Sequence, residues 1–386
     1  MVSDDGNYTI TYNGEIYNFE ELKINLIKKK YKFKGKSDTE VLLYGLIEEG
    51  PSFIQKCNGM FAFSFHDKRK NTTLIFRDRI GIKPLYYSIY KNKLTFASNI
   101  KPIHEYNGIK KIINLQSVSS YFSFRQPINN ETFFKNILSL EPGHYIQIKN
   151  SKVKIKKYWH LEKIFSKSHK DKGEKYYKDK LKKLLLSSIK YRLISDVSVA
   201  SLLSGGLDST IISSTINELM GKNFLAYSIG YHQKGYNEFK YSQLVAKKLN
   251  MKHIIIKSNF NSYFNNMKKL ISIRNHPLTI PNEVSQYELC KNIKKHATVV
   301  LSGCGADELF CGYGRIFSSV DDYKKIKTLK KKTIRANFLK NLKIRYGKTN
   351  FKNYLNNFLI IYPYTDIKLK QKLLNKKFDH KQIENN

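Results

Sequence analysis

The 386-residue chain is 41% hydrophobic and 13% aromatic, which is enough apolar material for a sizeable core and enough length for two or three domains. No apolar run approaches the roughly 20 residues of a bilayer crossing, and the start, MVSDDGNYTITYNG, is not a basic segment followed by an apolar one. The formal charge of +38 alone suggests nucleic acid, but 60 of the 69 basic residues are lysines spread along the chain and only 9 are arginines, the residue type that reads bases and phosphates by its planar fork.

Four scattered cysteines without a CxxC exclude a disulfide scaffold and give no start to a zinc or thioredoxin-type reading. We therefore expect a cytoplasmic protein with no nucleic-acid and no membrane partner. From residue 8 to about 160 short β runs alternate with turns: YTITYNG, MFAFSFHDKRKNTTLIFRD, KPLYYSIYKNKLTFAS and HYIQIKNSKVKIKKYW, with KN, KRKN and KNSK as hairpin turns. One helix is predicted near 18–30, with Asn18 as its cap and Glu20 and Glu21 in its first turn. Residues 161–180 are polar and read as a linker. Beyond them Leu181, Leu184, Leu185, Ile189 and Leu193 recur at helical spacing. Strand and helix then alternate: VSVASLL, TIISSTINELM, FLAYSIG, SQLVAKKLN, HIIIK, YELCKNIKKH, TVVLSG. The helix YELCKNIKKH places Cys290 on its apolar side, where a core position is expected, and His253 and His276 read as surface or packing residues. The tail past about 320 is lysine-rich and helical in tendency. The fold expected is an α+β layered domain over 1–160, followed over 161–386 by an α/β domain with a parallel sheet and ligands beyond the carboxyl ends of its strands.

Two loops carry chemistry. SLLSGGLDST follows an apolar strand and opens a helix: its glycines admit a ligand to the backbone, Ser204 and Ser209 add hydroxyls, and the helix N-terminus offers free N–H groups to an anion. Asp208 makes sense there as a holder of Mg2+ bound to phosphate oxygens. No GK[ST] follows, so it is not a Walker loop. LSGCGADELF also follows an apolar strand, and in a doubly wound sheet Ser302, Gly303 and Asp307 would face the first loop across one crevice.

SGGLDS with a downstream LSGxGADELFxGY resembles the ATP-pyrophosphatase (PP-loop) domain of the glutamine-dependent asparagine synthetases. NGEIYN at 13–18, SDTE at 37–40, NGMFAF at 58–63, RDRIGIKPLYY at 77–87 and LEPGHY at 140–145 match, in order, that family's class II glutaminase domain, an Ntn-hydrolase-like layered fold. The resemblance spans roughly residues 7–320. It implies ATP and Mg2+ as cofactors and activation of aspartate as an acyl-adenylate, from which ammonia or glutamine nitrogen displaces AMP. Carried over, Ser204, Gly205, Gly206, Asp208 and Ser209 would hold the pyrophosphate, Asp208 and Asp307 the magnesium, and Leu202, Ile229, Ser302 and Gly303 the adenosine part. Asn13 and Gly14 would supply oxyanion donors, and Glu15 and Asp38 would bind the glutamine amino group; a carboxylate pair suits an ammonium. A homodimer is a candidate assembly.

Three departures stand against that pattern. The family's nucleophile is an N-terminal cysteine whose α-amino group is its base, whereas this sequence reaches NGEIYN by residue 13 and Cys57 lies too far inside the domain to replace it. The family's C-terminal helical region with its lysine is not found before Asn386, so the chain is expected to be the interior of a longer protein, at best ammonia-dependent. Cys304 occupies a position where the family carries an acid. Alternatives are a β-lactam synthetase-like or related amide-forming enzyme acting on another carboxylate, a non-catalytic homologue, and a PP-loop enzyme acting on tRNA. Cys311 reads as a residue in a glycine's place.

Overall fold

Residues 1–112 and 130–197 form one unit and residues 113–129 and 198–386 a second. The computed structural model describes residues 1–166, 170–221, 224–233, 235, 237–346, 365 and 367–374. In the first unit β1 (Tyr8–Ile16), β2 (Gly59–Asp67), β3 (Thr72–Arg77), β7 (His144–Lys149) and β8 (Lys152–Lys157) make an antiparallel sheet in the order β1-β2-β3-β7-β8. A second sheet has the order β5-β4-β6, from β4 (Tyr86–Tyr90), β5 (Lys93–Ala97) and β6 (Leu138–Ser139).

Side-chain alternation assigns each face of the larger sheet a partner. Phe61, Phe63 and Phe65 of β2, Leu74 and Phe76 of β3 and Tyr145 of β7 join Leu22 and Leu26 of helix α1 (Phe19–Lys28) and Val41, Leu42 and Leu46 of α2 (Asp38–Glu49) in one core. The intervening residues Ala62, Ile75 and Ile146 meet Leu85, Tyr87 and Leu140 on the side of the smaller sheet. That sheet's far face packs through Tyr86 and Tyr90 on Ile100 and Ile103 of α3 (Ile100–Asn107). The layers are thus helix, sheet, sheet, helix. The KN and NS turns are left-handed at Lys91, Asn92, Asn150 and Ser151, as two-residue hairpins require.

Two expectations fail here. Asn18 does not cap α1; its amide instead accepts from the Asn58 N–H at 2.8 Å and donates to the Lys56 carbonyl at 3.0 Å, tying the helix start to the loop before β2. The 161–180 stretch is no simple linker, because it contains α5 (Glu162–Phe165) and the start of α6 (Glu174–Leu193). Lysine, glutamate and leucine are good helix formers, so polarity there marks an exposed helix. The last turn of α6 is fastened within this unit, with the Arg192 guanidinium 4.8 Å above the Tyr17 ring and Tyr191 donating to Glu21.

The second unit contains α4 (Leu115–Phe124) and a four-stranded parallel sheet of β9 (Val199–Leu202), β10 (Leu225–Tyr231), β11 (Lys252–Ser258) and β12 (Val299–Leu301), in the order β11-β10-β9-β12. Helices α7 (Leu207–Met220) and α8 (Phe239–Lys248) lie on one face of it. On the other, Leu289 and Ile293 of α10 (Asn282–Ile293) pack on Ala200 and Tyr227; α9 (Phe260–Arg274) packs on α10. Cys290 is exposed rather than core, because Val284, Leu289 and Ile293 define the buried stripe and residue 290 is turned about 100° from Leu289. After β12 come α11 (Ala306–Phe310), α12 (Gly314–Thr328), α13 (Lys332–Tyr346) and α14 (Ile367–Leu373), in keeping with the helical tendency expected of the tail where it is described; 347–364, 366 and 375–386 lie outside the described residues. Among the described residues no helix is long and apolar enough to cross a membrane.

Candidate functional site

The strand order reverses at β9, whose neighbours are β10 on one side and β12 on the other. Loops leaving β9 and β12 therefore open side by side at the carboxyl edge, the place where open α/β sheets bind ligands. The Leu203 N–H still bonds the Tyr227 carbonyl at 2.8 Å, so the first loop starts at Ser204. Gly205 has φ +89°, and a Cβ there would come within 2.5 Å of the Tyr241 Cβ and 2.6 Å of the Ser242 nitrogen; only glycine lets the loop lie on α8. Ser209 Oγ is 2.9 Å from Ser204 Oγ, accepts from the Ser204 N–H at 3.2 Å and lies 3.1 Å from the Gly206 carbonyl. The loop is thereby closed on itself. Helix α7 begins behind Gly206 with no side chain capping its first N–H groups, which leaves them to an anion.

The second loop touches the first. A Cβ on Gly303 would stand 3.0 Å from the Asp208 Cβ and 3.1 Å from the Ser209 nitrogen, so Gly303 is a glycine because the loops meet there. Gly305, at φ +97°, turns the chain into α11, where the Ala306 N–H bonds the Gly303 carbonyl at 3.2 Å. Asp307 is backed by Gly312, whose Cβ would fall 1.7 Å from its Oδ1 and whose N–H donates to its carbonyl at 3.0 Å. Cys311, between them, has φ +62°, a left-handed backbone suited to the glycine expected there. Glu308 accepts from the Tyr313 hydroxyl at 2.7 Å, a bond that lowers its pKa. Cys304 is exposed, its N–H 3.4 Å from Ser302 Oγ. Leu202, the last residue of β9, and Ile229, two residues before the end of β10, are half-buried and pack on the α10-side core.

The structure thus brings Ser204, Gly205, Gly206, Asp208, Ser209 and Gly303 together directly, with Ser302 and Asp307 on the touching loop. Among the described residues no three histidine, cysteine, aspartate or glutamate side chains gather as a metal cage. Asp208 and Asp307 lie in the first turns of α7 and α11, directly after the two touching loops, and carboxylates are donors that suit Mg2+ when phosphates supply the remaining oxygens.

In the first unit Asn13 and Glu15 share the face of β1 opposite the core residues Tyr8, Ile10 and Ile16. The Asn13 amide is 3.4 Å from Ser98 Oγ. A Cβ on Gly14 would lie 2.4 Å from the Met60 carbonyl, so glycine there permits the close β1–β2 pairing. Asp38 sits at the start of α2, next to the cap residue Ser37, whose Oγ accepts from Thr39 N–H. It reaches the open edge of β1, accepting from the Ile16 N–H at 2.9 Å and from the Tyr12 hydroxyl at 2.7 Å. Burial first, and the Asp38 charge second, raise the pKa of Glu15. Burial and Asp38 likewise raise that of Tyr12, keeping its hydroxyl a donor. Sequence reading missed Tyr12; its only signal is a hydroxyl within the apolar stripe Tyr8, Ile10, Tyr12. Two further motifs brace this site: Glu40 accepts from the Lys34 and Gly35 N–H groups at 2.8 and 2.9 Å, and the buried Asp78 accepts from those of Phe61, Ile80, Ile82 and Lys83.

Residues 1–159 match the glutamine amidotransferase domain family and residues 180–360 the asparagine synthase family. The chain is 34% identical over 312 residues to the glutamine-hydrolysing asparagine synthetase 1 of Bacillus subtilis, covering 80% of this chain and 48% of that one. The chain belongs to the asparagine synthetase family. A putative glutamine-hydrolysing asparagine synthetase 2 of Methanocaldococcus jannaschii is 33% identical over 315 residues, 80% of this chain and 60% of that one. An amidase, chyE, of Penicillium rubens is 29% identical over 325 residues, covering 80% and 48%. The chain spans about half the length of the first of these synthetases. Its amidotransferase match contains Asn13, Gly14, Glu15 and Asp38, and its synthase match contains both loops at the switch point.

Proposed function

We propose that the chain performs ATP-dependent amidation of the aspartate side-chain carboxylate, with ammonia or glutamine as the nitrogen source. The carboxylate oxygen attacks the α-phosphorus of ATP and pyrophosphate leaves; ammonia then attacks the acyl carbon and AMP leaves. The observation that carries this reading is the contact of Gly303 with Asp208 and Ser209 at the point where the strand order reverses. The Ser204 and Ser209 hydroxyls, the Gly205–Gly206 backbone and the open N-terminus of α7 would receive the pyrophosphate, and Leu202, Ile229, Ser302 and Gly303 the adenosine part. Asp208 and Asp307 would hold Mg2+, which supplies positive charge to the phosphate oxygens when bound. In the first unit Asp38 and Glu15 would bind the glutamine ammonium, with Asn13 and Gly14 as oxyanion donors. Small-molecule substrates and a reducing cytoplasmic setting fit this reading.

A second reading, a nucleotide-binding homologue that forms no amide, is favoured by one residue: Cys304 carries no carboxylate charge where the family resemblance implies an acid. Titration calorimetry with Mg·ATP tests the nucleotide site common to both. Wild type binds, and Asp208→Ala binds at least about tenfold more weakly; equal affinities would overturn the assignment of this loop.

A further inference from the structure

The sheet face toward α7 and α8 carries a polar seam that the two loops do not account for. Ser201 and Ser213 Oγ meet at 2.9 Å, fully buried, which ties β9 to α7. One strand over, the buried Ser228 Oγ donates to the Leu203 carbonyl, the last backbone group before the SGGLDS loop. With its proton committed there, Ser228 Oγ has only lone pairs to offer His253, whose Nε2 lies 2.7 Å away. His253 Nε2 must therefore carry a hydrogen and donate it. A relay thus crosses three adjacent strands, from His253 on β11 through Ser228 on β10 to the carbonyl of Leu203 at the exit of β9.

We propose that Ser228 and His253 are positioning residues for the SGGLDS loop, fixing the peptide plane from which Ser204 departs. The Leu203 N–H is already bonded to Tyr227. Fixing its carbonyl as well leaves the strand exit one direction, so that Ser204 and Ser209 close on each other and Gly205 lies on α8. A carbonyl is held this way more tightly than by one hydroxyl alone, because a rotor whose lone pair is occupied cannot swing away. Burial lowers the pKa of His253, so the ring is neutral at pH 7 and its second nitrogen is bare. As far as it concerns nucleotide, the inference rests on the function proposed above; the anchoring itself does not.

The test combines amide hydrogen exchange of the peptide spanning residues 203–209 with calorimetric titration of Mg·ATP, on wild type, Ser228→Ala, His253→Leu and His253→Gln. Glutamine can place an N–H near the Nε2 position, whereas leucine fills space without a donor. The anchor predicts faster exchange of 203–209 in S228A and H253L, with about tenfold weaker Mg·ATP binding, and near-wild-type behaviour in H253Q. Unchanged exchange in S228A and H253L overturns the anchor whatever the nucleotide does. Faster exchange with unaltered affinity, in a wild type that binds Mg·ATP, overturns the positioning role. If wild type and Asp208→Ala are equally inert toward Mg·ATP, the nucleotide assignment fails while exchange still judges the anchor. A fall in melting temperature that H253Q does not rescue, with exchange unchanged, identifies a packing role only.

Discussion

Single groups in the first unit have environments that fix their chemistry. Glu15 is pushed toward its neutral form by burial and by Asp38, so its charge opposes folding at neutral pH. Its raised pKa means that the folded state binds the proton better than the unfolded chain, and stability from this group is lost as pH rises through the folded pKa. Glu15→Gln should therefore raise the melting temperature at pH 7 by about 1–2 °C, and the gain should shrink as pH falls toward 4; a gain that grows in acid would contradict the placement of Glu15 beside Asp38. Cys57, 1% exposed and driven by burial to a pKa of about 12, is a neutral core thiol at physiological pH. Cys290, Cys304 and Cys311 are exposed. A thiol-specific reagent at pH 8 should label these three in the native protein and Cys57 only in denaturant; native labelling of all four would show that the first-unit core is open.

At the scale of elements, what was legible depended on which physical signal each segment carries. The hairpins β2–β3, β4–β5 and β7–β8 were readable because aromatic and β-branched residues alternate and the turns between them need left-handed residues. Helix α2 was not, since VLLYGLI is buried nearly all round and shows no polar stripe. Helix α9 was missed for the opposite reason, having only Leu270 buried. The two loops were legible as SGG and SG turns with an aspartate four or five residues on, but Ser228 and His253 were not: a 2.7 Å bond across β10 and β11 depends on strand register, which local sequence does not encode. Gly303 is where one loop meets the other. Gly303→Ala forces its methyl to 3.0 Å from Asp208 Cβ, with Ser209 backbone behind it. The loops should part, at a cost of about 1–3 kcal/mol in stability and a larger loss of Mg·ATP affinity than Gly221→Ala, which strains a left-handed backbone (φ +69°) at the far end of α7 but whose Cβ meets nothing within 4 Å. Equal effects of the two on affinity would show that loop contact is immaterial.

At the scale of the whole chain, two units with different sheet chemistry follow each other, apart from residues 113–129, which belong with the second. The antiparallel unit places Asp38 at the edge of β1, where it accepts from the Ile16 N–H and the Tyr12 hydroxyl. The parallel unit places its loops where the strand order reverses. The second arrangement follows from sheet type, since the carboxyl ends of parallel strands converge at the switch point. Adenylation of aspartate by the second arrangement, as proposed above, is read most directly as pyrophosphate release. With ATP, Mg2+ and ammonium, release should depend on added aspartate and fall to background in Asp208→Ala. Release that ignores aspartate, or that survives Asp208→Ala unchanged, would contradict it.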